Sequence, residues 1–251
     1  MNLGEFYDIT AAKTARTEVI RHTKAVSAAY QRAYRALSAA RQVEDNAAAL
    51  MAGGLDTDKL LRRTDGIIGR EIHGKGAGGP DAFRFLGSLT CKGPVWRFDT
   101  VADLCPKVYQ LQDSFGFAAP MLEQIRAAAR SRGYRAIVCP DPEHMDRIQH
   151  LLLPDLELAF VTSREGMVYD GPTYRRVRLD AMLPGAYYKQ YKSRLKFVRR
   201  VVEVLREDGL EALREAKTAH DALEAVYTPY VDFKGVDACT ARELERIESC
   251  L

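Results

Sequence analysis

Seven consecutive residues carry the clearest chemical reading in this chain: Asp113, Ser114, Phe115, Gly116, Phe117, Ala118 and Ala119. Residues 108–112 before them read as a strand. After them, Met121, Leu122, Ile125 and Ala128 are spaced for one buried helical face. In a strand, tight loop and helix, the loop N–H groups and the positive helix end face an anion, so the chemistry in question is phosphate binding. The consensus for such a loop is G-x-x-x-x-G-K-[ST]. With Asp113 on its first position, Ala118 falls on the second glycine, Ala119 on the lysine and Pro120 on the hydroxyl residue. Gly116 suits the interior of such a loop. The cation for the β- and γ-phosphates is missing, and so is the hydroxyl that would hold Mg²⁺. Pro120 suits the first helical position. Two readings stand: a phosphate loop that keeps its architecture without its chemistry, or an ordinary strand-to-helix turn.

No other constellation competes. His144 and His150 are six residues apart, poor spacing for metal ligands on one face, and His22, His73 and His220 are isolated. No Ser-His-Asp or Cys-His set can be argued from sequence order, so no catalytic residue and no metal is assigned. Cys91, Cys105, Cys139, Cys239 and Cys250 form no C-x-x-C pair and read as reduced thiols. No apolar run approaches the roughly 20 residues of a membrane helix. The start, Met1-Asn2-Leu3-Gly4-Glu5, lacks the basic-then-apolar order of a secretory signal, so a cytoplasmic protein is expected. A net charge of +3 over 251 residues names no partner.

The elements that position the loop can be read in order. Residues 11–51 are alanine-rich and proline-free, with Val19, Val26, Tyr30, Tyr34, Leu37 and Ala40 near helical spacing, and Gly53-Gly54 is the expected stop. A second helix is expected over 56–68, with Leu60, Leu61 and Ile67 inward. The glycine-rich segment 73–80 lacks a preceding strand and reads as a flexible linker at a domain boundary. Strands are expected at 83–89, 108–112, 134–139, 157–161 and 174–178, with helices at 121–132 and 142–151. That alternation predicts parallel pairing through right-handed crossovers, with the 113–119 loop at a carboxyl strand end. A long helix is expected over 187–226, with Gly209 a candidate interruption and Pro229 its end, then a last helix at 240–249. The domains are therefore read as 1–72, a helical hairpin; 73–178, an α/β core; and 179–251, a second helical hairpin that packs with the first.

The two helical regions match each other without a gap. An offset of 179 − 3 = 176 sets Leu3 on Leu179, Leu37 on Leu213, Ala40 on Ala216, Arg41 on Lys217, Asp45 on Asp221, Asp56 on Asp232 and Leu60 on Val236. This reads as an internal repeat, each copy an α/β core followed by a helical hairpin. The first copy has only its hairpin here, and its core is expected upstream of Met1. Helices 11–68 are accordingly expected to be less well anchored than the C-terminal hairpin.

Over nearly its whole length the chain resembles the bacterial two-repeat P-loop ATPases. The resemblance is carried by residues 2–8, Lys92-Gly93, Val108-Tyr109, Arg132-Gly133-Tyr134, Cys139-Pro140-Asp141-Pro142, residues 153–160 and Pro229-Tyr230-Val231-Asp232-Phe233. It implies a P-loop NTPase-like parallel sheet flanked by helices, with helical hairpin arms, and ATP with Mg²⁺ as the cofactor. Of the family's working loop, G-x-x-G-x-G-K-[ST], only Gly116 survives here, and Ala119 and Pro120 stand at the lysine and hydroxyl positions. Thr162 and Ser163 stand where a Walker-B acid would end its strand, and Asp141, Asp155, Glu165 and Asp170 are the nearest carboxylates in sequence.

Three functions follow. A degenerate P-loop domain would serve as scaffold or regulatory half of a larger ATPase, its partner a separate chain or the missing first repeat. An active ATP-binding module is the second. A nucleic-acid-binding module is the third, through Arg175, Arg176, Arg178, Lys189, Lys192, Arg194, Lys196, Arg199 and Arg200, with Tyr187, Tyr188 and Tyr191 interleaved and Asp180 the single acid. The plainer reading of that segment is a solvated helix face whose charges pair with the acids of the hairpin.

Overall fold

A computed structural model describes residues 3–74, 76 and 78–249; Met1, Asn2 and Cys250, named above, and positions 75 and 77 of the 73–80 segment lie outside them. The helices are α1 (Ile9–Ala12), α2 (Arg16–Ala52), α3 (Thr57–Glu71), α4 (Asp99–Leu104), α5 (Ala118–Ser131), α6 (Gly185–Tyr227) and α7 (Phe233–Glu248). The strands are β1 (Asp81–Phe83), β2 (Gly87–Thr90), β3 (Gly93–Trp96), β4 (Lys107–Gln112), β5 (Ala136–Asp141), β6 (His144–Leu153), β7 (Leu158–Ser163) and β8 (Arg175–Arg178). The chain divides into two compact units, Met1–Arg35 with Gly209–Leu251, and Ala36–Asp208.

The Ala36–Asp208 unit is α/β, with a six-stranded mixed sheet flanked by helices, in the order β1-β5-β6-β7-β4-β8. β1 pairs parallel with β5, and β4 pairs parallel with both β7 and β8. β6 is antiparallel to β5 and β7. The sheet is thus parallel except for one reversed strand, which corrects the expected helix at 142–151. Ile148, Leu151 and Leu152 are spaced three and four apart and imitate a helical face, but the run closes a hairpin instead. Asp141 Oδ1 accepts from Glu143 N at 2.9 Å to make the turn. Pro140, which cannot donate to a ladder, sits where the register shifts.

The strand expected at 83–89 is also corrected. It divides into β1, at the sheet edge, and β2, which pairs with the unanticipated β3 in a separate two-stranded hairpin. Gly87 lies opposite Trp96, and a Cβ there would sit 1.8 Å from the indole.

Alternation along the strands builds a core on each face of the sheet. Tyr109, Leu111, Leu151, Leu153, Leu158 and Phe160 belong with α3 and α5 residues such as Leu60, Ile67, Leu122 and Ile125. Val108, Leu152, Ala159 and Val161 belong with Phe98, Val101 and Tyr169. α3 starts at the Asp56 cap, whose carboxylate accepts from Lys59 N at 2.9 Å, and buries Leu60, Thr64, Ile67 and Glu71. α5 ends in a Schellman turn: Gly133 (φ 88°) donates to Arg130 O and Tyr134 to Ala129 O.

The segment 73–80 is not a free linker. Gly79 N donates to Arg130 O at 3.1 Å, and the Tyr134 hydroxyl donates to His73 O. These glycines let the chain run against the end of α5.

The other unit is helical. Its two segments meet through a bridge between Tyr7 and Val231 and through Asp8 N to Tyr230 O at 2.9 Å. Arg32 grips Glu215 with two hydrogen bonds of 2.8 and 3.1 Å. α7 begins at Phe233, seven residues before the expected position, because Asp232 caps it by accepting from Gly235 N at 3.0 Å. α6 runs through Gly209 without a break.

Candidate functional site: the loop between β4 and α5

β4 carries the chain to Asp113, whose N–H donates to Ser163 O at 3.1 Å and extends the pairing with β7 by one bond. Gly116, at φ 80°, then turns the chain back in the left-handed region. The loop N–H groups converge on a carboxylate. Asp113 Oδ1 accepts from Phe115 N at 3.1 Å and Phe117 N at 2.9 Å, and Asp113 Oδ2 accepts from Ala118 N at 2.8 Å. A second carboxylate, Asp180, takes Ser114 N at 2.9 Å and Ser114 Oγ at 2.7 Å. Four N–H donors of the loop, on Ser114, Phe115, Phe117 and Ala118, are therefore committed to acids of the chain itself.

Asp113 is buried, and burial pushes its carboxyl above the ordinary range, with the three N–H donors acting in opposition. Phe117 and Ala118 face the core, while Ser114 and Gly116 are exposed. Ala119 is half-buried in the first turn of α5. Pro120 is the third helical residue and not the first, because the Asp113 carboxylate starts the helix at Ala118. Its missing N–H is still one of the unpaired donors of a first turn, so the proline fits.

A cleft of about 530 Å³ opens beside the loop at the carboxyl ends of β4, β7 and β8, lined by Gln110, Ser114, Ser163, Arg164, Arg176 and Asp180 among others. Its polar groups are largely paired within the chain. Gln110 donates to Ser163 Oγ at 3.2 Å and Tyr169 O at 2.9 Å, and accepts from Arg176 Nε at 2.7 Å. At the end of β7, Thr162 Oγ1 donates to Gln149 O at 2.9 Å and Thr162 N donates to His150 Nδ1 at 3.1 Å. Of the nearby carboxylates, Glu165 and Asp170 line the cleft. Asp141 lies 3.9 Å from Arg164, and Asp155 sits before the amino end of β7, where it accepts from Arg135 N.

Several other titratable groups are engaged in contacts away from the cleft. His144 Nε2 is 2.8 Å from Asp45, which Arg147 also meets at 2.8 Å. His150 is buried and its pKa is pushed down to about 3 by desolvation and by the charge of Arg164. Burial raises the Cys105 thiol to about 11 and the Cys139 thiol to about 12, so neither is a nucleophile at neutral pH. His220, read as isolated, shares the exposed surface of α6 with Asp221 and Glu224, their ligand atoms within 4.8 Å of one another. At the opposite end of β4, Glu71 binds Lys107 Nζ and the Tyr109 hydroxyl, each at 2.5 Å. Sequence reasoning missed that network, and it missed Asp180 as a ligand of the loop. The one signal for Asp180 was its standing as the single acid in a basic segment. No described helix is long and apolar enough to cross a membrane. Comparison with family models, with curated proteins and with solved structures finds no match for this chain.

Proposed function

We propose that the Ala36–Asp208 unit is P-loop NTPase-like with a degenerate nucleotide site, and that it serves as a scaffold or regulatory half of a larger ATPase. The observation that carries this reading is the Asp113 carboxylate, held by Phe115, Phe117 and Ala118 N–H where a phosphate loop would hold its phosphate. An ATP phosphate would have to displace the Asp113 carboxyl from its three N–H donors and approach the acid Asp180 as well, with no loop lysine to offset its charge. The positive end of α5 contributes on the order of 0.3–1 kcal/mol to an exposed anion. Micromolar affinity needs about 8 kcal/mol. The internal repeat belongs to the same proposal. Asp56 and Asp232, related by the 176-residue offset, cap their helices with nearly the same backbone angles, −74°, 87° and −80°, 84°.

The test is calorimetric titration with Mg-ATP and with inorganic phosphate. The unmodified chain is expected to bind Mg-ATP no tighter than about millimolar. Asp113→Ala, which frees three N–H donors, is expected to bind phosphate more tightly than the unmodified chain. The Ala119→Lys, Pro120→Ser double variant is expected to gain Mg-ATP binding only when combined with Asp113→Ala. Micromolar Mg-ATP binding by the unmodified chain, lost in Gly116→Trp, would overturn the proposal.

A further inference from the structure

The cations at the start of α6 are not absorbed by the site above. From Ala181 to Val202 the chain has no carboxylate. At 3.6 residues per turn, Lys189, Lys192, Lys196, Arg199 and Arg200 fall within an arc of about 100° and form a stripe about 16 Å long. All five are exposed. Arg199 meets Glu165 at 3.2 Å, both side chains well exposed, while Lys189, Lys192, Lys196 and Arg200 are in no ion pair with any described residue. The expected pairing of these charges with the acids of the hairpin is therefore absent for four of the five. The opposite face of the same segment is committed to packing, with Tyr187, Tyr191 and Leu195 against the core and Val202 buried. Phe197, 65% exposed, borders the stripe on one side, and Tyr188, 38% exposed, borders it on the other.

We infer that this face binds single-stranded nucleic acid. A row of exposed cations, four of the five without an ion pair, is complementary to a phosphate backbone and releases its counterions on contact. Exposed aromatic rings at the edge of such a row offer platforms on which bases of any sequence stack. A duplex keeps its bases stacked within itself and gains only the phosphate contacts. An anionic membrane is the weaker match, because the apolar side of the helix faces the core and leaves no continuous apolar stripe to enter the headgroup region. The inference does not depend on the reading of the 113–119 loop.

Fluorescence anisotropy of the whole chain with labelled oligo(dT) and oligo(rU) of about 20 nucleotides, at about 50 mM salt, tests it. Micromolar binding is expected, with log K falling by about 2 to 3.5 per decade of salt, as neutralising three to five phosphates requires at roughly 0.7 each. Lys189→Glu, Lys192→Glu, Lys196→Glu, Arg200→Glu should weaken binding at least about tenfold. Phe197→Ala should weaken single-strand binding about fivefold or more while leaving a duplex of the same length nearly unchanged. If circular dichroism finds the charge-reversed chain unfolded, the milder Lys189→Gln, Lys192→Gln, Lys196→Gln chain should lower the salt slope by about 2. No salt-dependent binding at about 100 μM protein would overturn the inference. So would equal binding by the folded variants, or capture of phosphatidylserine vesicles without capture of the oligonucleotides.

Discussion

His150 shows how a single buried side chain sets the response to acid. Its Nδ1 accepts from Thr162 N, its Nε2 has no described partner, and the Phe98 ring stands edge-on at 5.5 Å. The folded protein therefore holds it neutral, with a pKa of about 3 against 6.5 in an unfolded chain. A histidine depressed in this way contributes stability that is full above the unfolded pKa and is lost as pH falls toward the folded one. The slope approaches 1.4 kcal/mol per pH unit between roughly pH 6 and pH 3. Glu71 acts in the same direction at lower pH. Burial opposes its ionisation, but hydrogen bonds from Lys107, Tyr109 and Arg70 outweigh burial and hold its pKa below the ordinary value of 4.5. Its contribution is present above that value and is lost as pH falls through the lowered one. His150→Asn keeps an acceptor for Thr162 N and removes the titration. Denaturant unfolding at pH 7, 6 and 5 should show a shallower loss of stability in the variant. An unchanged slope would assign the acid response to other groups.

Gly79 gives the matching test at the level of elements. A Cβ there would lie 1.9 Å from Tyr134 O and 2.5 Å from its carbonyl carbon, backbone atoms held by the Schellman turn of α5. Gly79→Ala should therefore cost more than the roughly 1–3 kcal/mol of ordinary overpacking, read as a fall in the urea midpoint. Gly78→Ala meets no atom within 4 Å but sits at φ 58°, so its cost should be only the smaller, conformational one. Composition spoke truly of irregular backbone at the described residues of 73–80, but not of their tethering. The same division runs through the fold. The β4 strand, its loop, α5 and the long helices were legible, because periodic burial and glycine or aspartate boundaries mark them. β6 was not, because it is buried on both faces over residues 149–153 and shows no alternation. Nor was the role of Asp113. Overlay on a glycine consensus gives a residue its position, while the three N–H donors that define its function come from the turn it makes.

The two compact units differ in how much they bury. Within residues 4–35 and 209–249 the buried positions are Ala33, Gly209, Ala212 and Ala216, and α7 buries none of its residues. The Ala36–Asp208 unit contains both large apolar clusters. This reverses the expected order of anchoring for the second helix of each hairpin: α3 is fixed on the core, and α7 is the lightly held one. Small residues remove little apolar surface, at about 25 cal/mol per Å². Hydrogen exchange of the whole chain should therefore be fastest in α7 and the first part of α2, slower in α3 and slowest in β4 and β7. Protection in α7 equal to that of β4 would contradict this.

A ligand that belongs to the chain cannot leave. The Asp113 carboxylate sits two to five residues from the N–H groups that hold it, so its effective concentration there exceeds the millimolar level typical of a short flexible tether. A free phosphate competes against that value and not against water. On the degenerate-site reading proposed above, the loop would keep this shape at every ratio of ATP to ADP, where a working nucleotide site alternates between loaded and empty and passes that alternation to its neighbours.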